Sequence, residues 1–211
     1  MKLPVIYMAA GNGRRFASRA RELGEGQENK LLFSYRGKPL YRHVLERLAQ
    51  LKSLGEDIEI YLVSQYPGLL EESRELPVIP VYSPESPRGA SYSVRAGLTA
   101  AGFSPEREIL RSPEPGCAFF AADQPELSLA TIRRFFASIR ENPGGLIAVG
   151  WGEEMGNPCY FGARYLPELF ALTGDRGGKA VLRRYREECR ILQAQGEWEL
   201  KDVDVPPKEK P

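Results

Sequence analysis

With 211 residues, 42% hydrophobic and 27% charged, the chain has an ordinary globular composition and enough apolar material to fold without staples. A formal net charge of +1 excludes the long-range field that draws a protein to nucleic acid or to an anionic membrane, so local basic clusters must carry any phosphate binding. No apolar run approaches the roughly 20 residues of a membrane span. The apolar part of MKLPVIYMAAGNG is too short and too quickly interrupted for a signal peptide, and Cys117, Cys159 and Cys189 lack the close pairing of a disulfide framework or zinc site. These bounds describe a soluble, cytoplasmic protein with residues 1–211 as one domain.

In chain order, PVIYMAA (4–10) reads as a buried strand that breaks into a glycine turn, GNGRR (11–15). Two close glycines after such a run let the backbone turn sharply and bring its N–H groups near an anion. Residues 16–29, FASRARELGEGQEN, read as a mobile excursion with room for one helical turn, between the glycine turn and Lys30. Then comes LLFSYRGKPLYRHVLERLAQLKSLG (31–55): a short strand, a turn at Arg36-Gly37, and a helix with Pro39 in its first turn and Leu40, Val44, Leu48 and Leu51 on one face, ended by Gly55. DIEIYLVS (57–64) is a strand, 67–75 a helix, and LPVIPVY (76–82) a strand whose two prolines place it near an edge.

A loop from Ser83 leads to a helix opening at Ala90–Ser93, and the three prolines of 103–116 mark a surface insertion. CAFFAAD (117–123) is an apolar strand that stops on an acid. SLATIRRFFASIREN (128–142) is a helix capped by Ser128. GLIAVGW and GNPCYFG read as strands, and RYLPELFAL and GKAVLRRYREE as helices around GDRGG. RILQAQGEWELKDVDV (190–205) alternates enough for a hairpin, and PPKEKP is a tail. Strands alternating with helices give an α/β architecture, a mostly parallel sheet with helices on both faces. In such sheets ligands gather beyond the carboxyl ends of strands, which selects the loop after Ala10, the loop before Ser91, and Asp123.

Asp123 ends a buried run, where a carboxylate needs a partner. It is either a Mg²⁺ ligand bridging to phosphates or a turn or cap acid before Pro125. Asp202 and Asp204, two apart on a strand-like segment, would share one face and could add metal contacts, or be surface acids paired with lysines. Arg15 and Lys30 are the cations expected where catalysis is positioning and neutralisation of phosphate charge, whereas Arg14, Arg19 and Arg21 read as solvated. The loop is neither a Walker loop nor GxGxxG. His43, the only histidine, lies inside a helix and reads as structural, which leaves Ser-His-Asp hydrolysis and histidine metal sites without material. Cys117 and Cys159 read as small core hydrophobes.

Several motifs then fall into one order: AAGNGRRF, NKLLFSYRGKPLYRHVL, RGASYSVRAGL, FFAADQP, GNPCYF, ELFALTGDRGGKAVL and DVDVP. In this the chain resembles the molybdenum cofactor cytidylyltransferases of the MobA-like nucleotidyltransferase family, over residues 4–206. The resemblance implies a Rossmann-like three-layer α/β/α nucleotidyltransferase fold with a small antiparallel extension. It implies that Ala9, Ala10, Gly11, Asn12, Gly13 and Arg15 wrap the triphosphate and that Lys30 binds phosphate. Gly89, Ser91 and Ser93 would read the base, in a segment (SVRAGL) also similar to methylerythritol phosphate cytidylyltransferases. Asp123 would hold Mg²⁺, completed by Asp204 or Asp202, and Ala9-Ala10 in place of a glycine pair goes with CTP. The implied acceptor is molybdopterin cofactor and the implied recipient a molybdenum hydroxylase. GTP or a sugar or alditol phosphate as substrate, and a non-catalytic cofactor-binding maturation factor, are the competing readings.

Two departures stand out. Phe16-Ala17 replaces the family's Met-Gly after the loop arginine, and fourteen residues separate Arg15 from Lys30, so the excursion is expected to bulge outward toward the acceptor. The family's closing acid after the last motif is also missing, with proline and Lys208 there instead.

Overall fold

The computed structural model describes residues 2–22, 24, 29–105 and 116–204. The expected tail, and the expected insertion apart from 103–105 and 116, lie outside them. In order, the elements are β1 (Leu3–Met8), α1 (Arg14–Glu22), β2 (Ser34–Tyr35), β3 (Lys38–Pro39), α2 (Arg42–Ser53) and β4 (Ile58–Ser64). There follow α3 (Pro67–Glu72), β5 (Val78–Tyr82), α4 (Ala90–Ala100), β6 (Cys117–Ala121) and α5 (Leu129–Glu141). The last are β7 (Leu146–Trp151), β8 (Glu154–Phe161), α6 (Leu166–Phe170), α7 (Gly178–Arg184) and β9 (Cys189–Gln193).

Seven strands form one sheet in the order β5-β4-β1-β6-β8-β7-β9. All run the same way except β8, which is antiparallel to both β6 and β7. The mostly parallel sheet and its antiparallel extension are therefore both present. Side chains alternate across it with the strand period of two. Val5, Tyr7, Ile58, Ile60, Leu62, Ala118 and Phe120 enter one core with α2, α3 and α5. Ile6, Tyr61, Val63, Cys117 and Phe119 enter the other with α4, α6 and α7. Each fully buried Ile, Leu or Phe contributes roughly 1.5–3 kcal/mol, and two such faces make the three-layer sandwich. The prolines of 76–82 do sit at an edge, since β5 is the outermost strand.

The short strand expected before the Arg36-Gly37 turn is present as β2, after turns in which Leu32 N donates to Asn29 O and Phe33 N to Lys30 O. Two local expectations need correction. Pro39 belongs to the small β2-β3 hairpin, whose turn puts both Arg36 (φ 46°) and Gly37 (φ 83°) in the left-handed region, the geometry that matches strand twist; α2 starts only at Arg42. Among the described residues the C-terminal hairpin does not form. β9 pairs parallel with β7, and a 3₁₀ turn at Glu197–Leu200 leads into a segment without regular structure over 201–204. Alternation alone cannot distinguish a hairpin from a strand that joins a distant partner.

Strand order reverses at β1, with β4 on one side and β6 on the other. The loops leaving β1 and β6 meet there: Met8 is in register with Ala121, and Ala122 N donates to Met8 O at 3.1 Å. That crevice is where an open α/β sheet binds ligands.

Candidate active site

The glycine turn is held from behind. Ala9 N donates to Val63 O at 2.8 Å, extending the ladder one residue past β1. The chain then leaves the sheet, and its carbonyls are taken up by the β4–α3 connection. Gln65 Nε2 donates to Ala10 O (2.7 Å) and Asn12 Oδ1 (3.0 Å), and the Tyr66 hydroxyl donates to Gly11 O (3.1 Å). In a trans peptide the N–H points opposite its C=O. The Gly11 and Asn12 amides therefore point away from Gln65 and Tyr66. Gly13, at φ 55°, turns the chain into α1, which starts at Arg14 without an acid in its first turn. A helix N-terminus with free amides, and arginines instead of carboxylates in its first turn, has the electrostatics that suit an anion.

The segment after the turn is a nine-residue helix, and over these residues the chain folds inward where an outward bulge was expected. Phe16 and Ala20 are fully buried, Phe16 stacks edge-on against Phe33 at 5.2 Å, and Val203 packs on the same cluster. The first part of the excursion thus folds back onto the residues that carry Lys30. Residues 23 and 25–28 of that excursion lie outside the described ones.

Lys30 is the centre of the site. Its side chain is only 9% exposed, its stem packs over Gly13, and its Nζ lies 2.7 Å from Asp123 Oδ2 and 3.3 Å from Asp204 Oδ1. Arg15 donates to the other Asp204 oxygen at 2.9 Å. Burial alone would drive the Lys30 ammonium toward neutrality, but the two carboxylates outweigh it and raise its pKa, so it stays charged. Asp123 is not a helix cap: Ser128 caps α5, its Oγ accepting from Thr131 N. Asp204 reaches Lys30 because residues 199–203 before it are bolted down. Val203 N donates to Asp123 O at 2.9 Å, and buried Glu199 accepts from Ser128 N, Thr131 Oγ1 and Gln195 N.

Asp202 and Asp204 do not share a strand face as their spacing predicts, since 201–204 has no regular structure. Asp202 accepts from Gln124 Nε2 at 2.9 Å, and burial together with the charge of Asp123 raises its pKa. Lys30 already occupies the space between Asp123 and Asp204, which shows that two carboxylates converge on one cation. Among the described residues no group of three or more His, Cys, Asp or Glu gathers to hold a metal unaided. A hard cation held by one or two carboxylates that completes its shell with phosphate oxygens and water fits this donor set.

A cavity of about 240 Å³ opens beside this centre, with Asn12, Lys30, Ser86, Ser93, Asp123 and Asp175 among its walls. Ser93 and Ser86 share a 2.6 Å hydrogen bond, and Ser86 donates on to Ser83 at 2.8 Å, so Ser93 is the donor in the first. Gly89 and Ser91 do not line the cavity. Gly89 has φ 139°, and a Cβ there would lie 2.3 Å from the Gly174 carbonyl carbon; the fully buried Ser91 donates its N–H to Gly174 O. They lock the start of α4 to the 174–177 turn, which brings Asp175 to the cavity. Sequence reasoning missed Gln65, Tyr66, Ser86 and Asp175. Only the Gly-rich stretch around Asp175 carried a local signal, because the others act through the fold.

His43 is structural as expected: Nε2 bonds Tyr35 O at 2.8 Å, and burial lowers its pKa. Cys117 and Cys159 are buried, and burial raises both thiols. No helix among the described residues is long and apolar enough to cross a membrane.

A family model described as the MobA-like NTP transferase domain matches residues 5–189. No curated protein matches the sequence significantly. Among solved structures, the chain is similar to a nucleotidyl transferase from Methanothermobacter thermautotroptrophicus (Mth528), at 22% identity and TM-score 0.73, covering 97% of this chain and 92% of that one. It is also similar to Rv0371c of Mycobacterium tuberculosis in complex with manganese (20%, TM-score 0.64, 98% and 91%). A third likeness is to molybdopterin-guanine dinucleotide biosynthesis protein A from Archaeoglobus fulgidus (14%, TM-score 0.64, 97% and 93%). At these identities the structural likenesses establish the fold.

Proposed function

Because the chain belongs to the family of MobA-like NTP transferase domains and is a nucleotidyltransferase, we propose that it transfers CMP from CTP to the phosphate of molybdopterin cofactor, with release of pyrophosphate. The observation that carries this reading is the buried Lys30 ammonium between Asp123 and Asp204, at the end of a glycine turn whose amides face away from their anchors. The Gly11 and Asn12 amides and the N-terminus of α1 hold the β- and γ-phosphates, with Arg15 beside them. Asp123 and Asp204 would hold a divalent cation, Mg²⁺, which when bound neutralises charge on the reacting phosphate oxygens.

An oxygen of the acceptor's phosphate monoester attacks the α-phosphorus in line. A new P–O bond forms as the bond to the β-phosphate bridging oxygen breaks, and pyrophosphate leaves with that electron pair. No side chain must take a proton, because the monoester is already anionic at neutral pH. Lys30, kept charged by its surroundings, neutralises the departing pyrophosphate. Ser93 would read the base directly, while Gly89 and Ser91 hold its strap in place. Ala9-Ala10, where guanylyl transferases usually carry two glycines, supports CTP over GTP. Residues 1–211 are taken as one nucleotidyltransferase domain acting in the cytoplasm, with a molybdenum hydroxylase as recipient.

The test is pyrophosphate release with Mg²⁺ and each of the four nucleotides, with and without molybdopterin cofactor. We expect release with CTP only when the cofactor is present. Release with GTP alone among the nucleotides, or with an alditol phosphate in place of the cofactor, overturns the substrate assignment; tight cofactor binding without turnover overturns the catalytic one.

A further inference from the structure

Two separate stretches of chain wall the nucleotide cavity. Asn12 stands with Gly11, Lys30 and Asp123 at one end, and Ser86, Ala90 and Ser93 stand at the other. The second stretch, a strap over residues 83–89, contains a 3₁₀ turn at Ser86–Arg88. One side of the strap is fastened to α4 by the buried hydroxyls of Ser83, Ser86 and Ser93. Its last residue, Gly89, is packed against the Gly174 carbonyl.

The other side is fastened by Asn12. Its Nδ2 donates to Pro87 O at 3.3 Å, across 75 positions of sequence, and its Oδ1 accepts from Gln65 Nε2 at 3.0 Å. This is the one hydrogen bond between residues 11–13 and 83–93 among the described residues. Gln65 Nε2 also donates to Ala10 O at 2.7 Å, so a backbone carbonyl stands at each end of the chain Ala10–Gln65–Asn12–Pro87. Turning over the Gln65 amide would set its oxygen against Ala10 O. Turning over the Asn12 amide would set oxygen against Pro87 O and nitrogen against nitrogen at Gln65. The two carbonyls therefore fix the direction of every bond in the chain. Both polar atoms of the Asn12 side chain are engaged within the protein, and it is the backbone N–H that is offered to an anion.

We propose that Asn12 is a positioning residue for the nucleotide. Its side chain is a strut that sets the strap at a fixed distance from the glycine turn, so that a triphosphate seated on the turn brings its base into register with Ser93. This deepens the reading above, on which it rests for the assignment of the two ends of the cavity. The resemblance in sequence has Asn12 wrapping the triphosphate; the side chain acts across the crevice instead.

Removing the strut penalises only a ligand that touches both ends. CTP spans the turn and the strap, whereas inorganic tripolyphosphate meets the turn alone. In Asn12→Ala the turn keeps its own anchors, because Ala9 N to Val63 O, Gln65 to Ala10 O and Tyr66 to Gly11 O do not involve the Asn12 side chain.

The experiment is isothermal titration calorimetry of wild type and Asn12→Ala, in Mg²⁺, with each of the four nucleoside triphosphates and separately with tripolyphosphate. The variant should bind CTP about 2- to 10-fold more weakly, the weight of one hydrogen bond, and tripolyphosphate as tightly as wild type. Equal loss for both ligands, which a merely loosened turn or a lost phosphate contact would give, overturns the proposal. Loss for neither, or loss confined to tripolyphosphate, overturns it as well. A wild type that prefers GTP refutes the substrate assignment above, and the same split, read with GTP, still decides the strut. A wild type that binds no nucleoside triphosphate overturns both.

Discussion

At the scale of single residues, three aspartates that look alike in sequence have different tasks. Asp123 and Asp204 face Lys30, whereas Asp202 accepts from Gln124, and desolvation together with the charge of Asp123 raises its pKa. The consequence for stability can be signed. Asp202 has a folded-state pKa above its unfolded value of about 3.9, so its ionisation opposes folding at pH values above the folded one. Asp202→Asn keeps an acceptor oxygen for Gln124 while removing the charge. It should raise the melting temperature at pH 7, with a gain that shrinks toward zero as pH falls to about 4. Melting curves at several pH values check this; a gain that grows on acidification would contradict the account. The sequence could show that acids were present near positions 202–204, but not which one meets the lysine. That choice depends on a turn at 197–200 whose anchors lie on α5.

At the scale of elements, that anchoring is the step that completes the site. Burial alone would raise the Glu199 pKa, but the donors of Ser128, Thr131 and Gln195 outweigh it and lower it. A depressed carboxyl contributes stability above its unfolded pKa, about 4.3, and loses it as pH falls through the folded value. Glu199→Gln should therefore cost about 1–3 kcal/mol at pH 7, with the difference from wild type closing in acid. Because Val203 and Asp204 follow directly, nucleotidyl transfer should fall with it. Unchanged melting at pH 7 would show that the turn is not the anchor. Elements with strong local signals were legible: β1, β4, β6 and α5 stand where their apolar periods place them, down to the Ser128 cap. The failures were elements decided by distant partners. α1 is polar in sequence, yet folds as a helix because Phe16 and Ala20 find Phe33 and Val203, and β9 joins β7 instead of its neighbour in sequence.

At the scale of the whole molecule, the parallel sheet makes one crevice where the loops after β1 and β6 converge, and every group in the reaction scheme is delivered to it from a different part of the chain. Lys30 comes from after α1, Asp123 from the end of β6, and Asp204 from the last described residue. The order of motifs made Arg15, Lys30, Asp123 and Asp204 readable as a set. Gln65 and Tyr66, which orient the glycine turn, carry no motif and become visible only when β4 is laid beside β1.

The central claim is that this convergence transfers a nucleotidyl group to a phosphate. It is tested most directly by ³¹P NMR of the wild-type protein and Asp123→Ala incubated with CTP, Mg²⁺ and molybdopterin cofactor. The account predicts a new diphosphate linkage and equimolar free pyrophosphate with the wild type, and neither with Asp123→Ala at unchanged circular dichroism. Undiminished product formation by Asp123→Ala would contradict it.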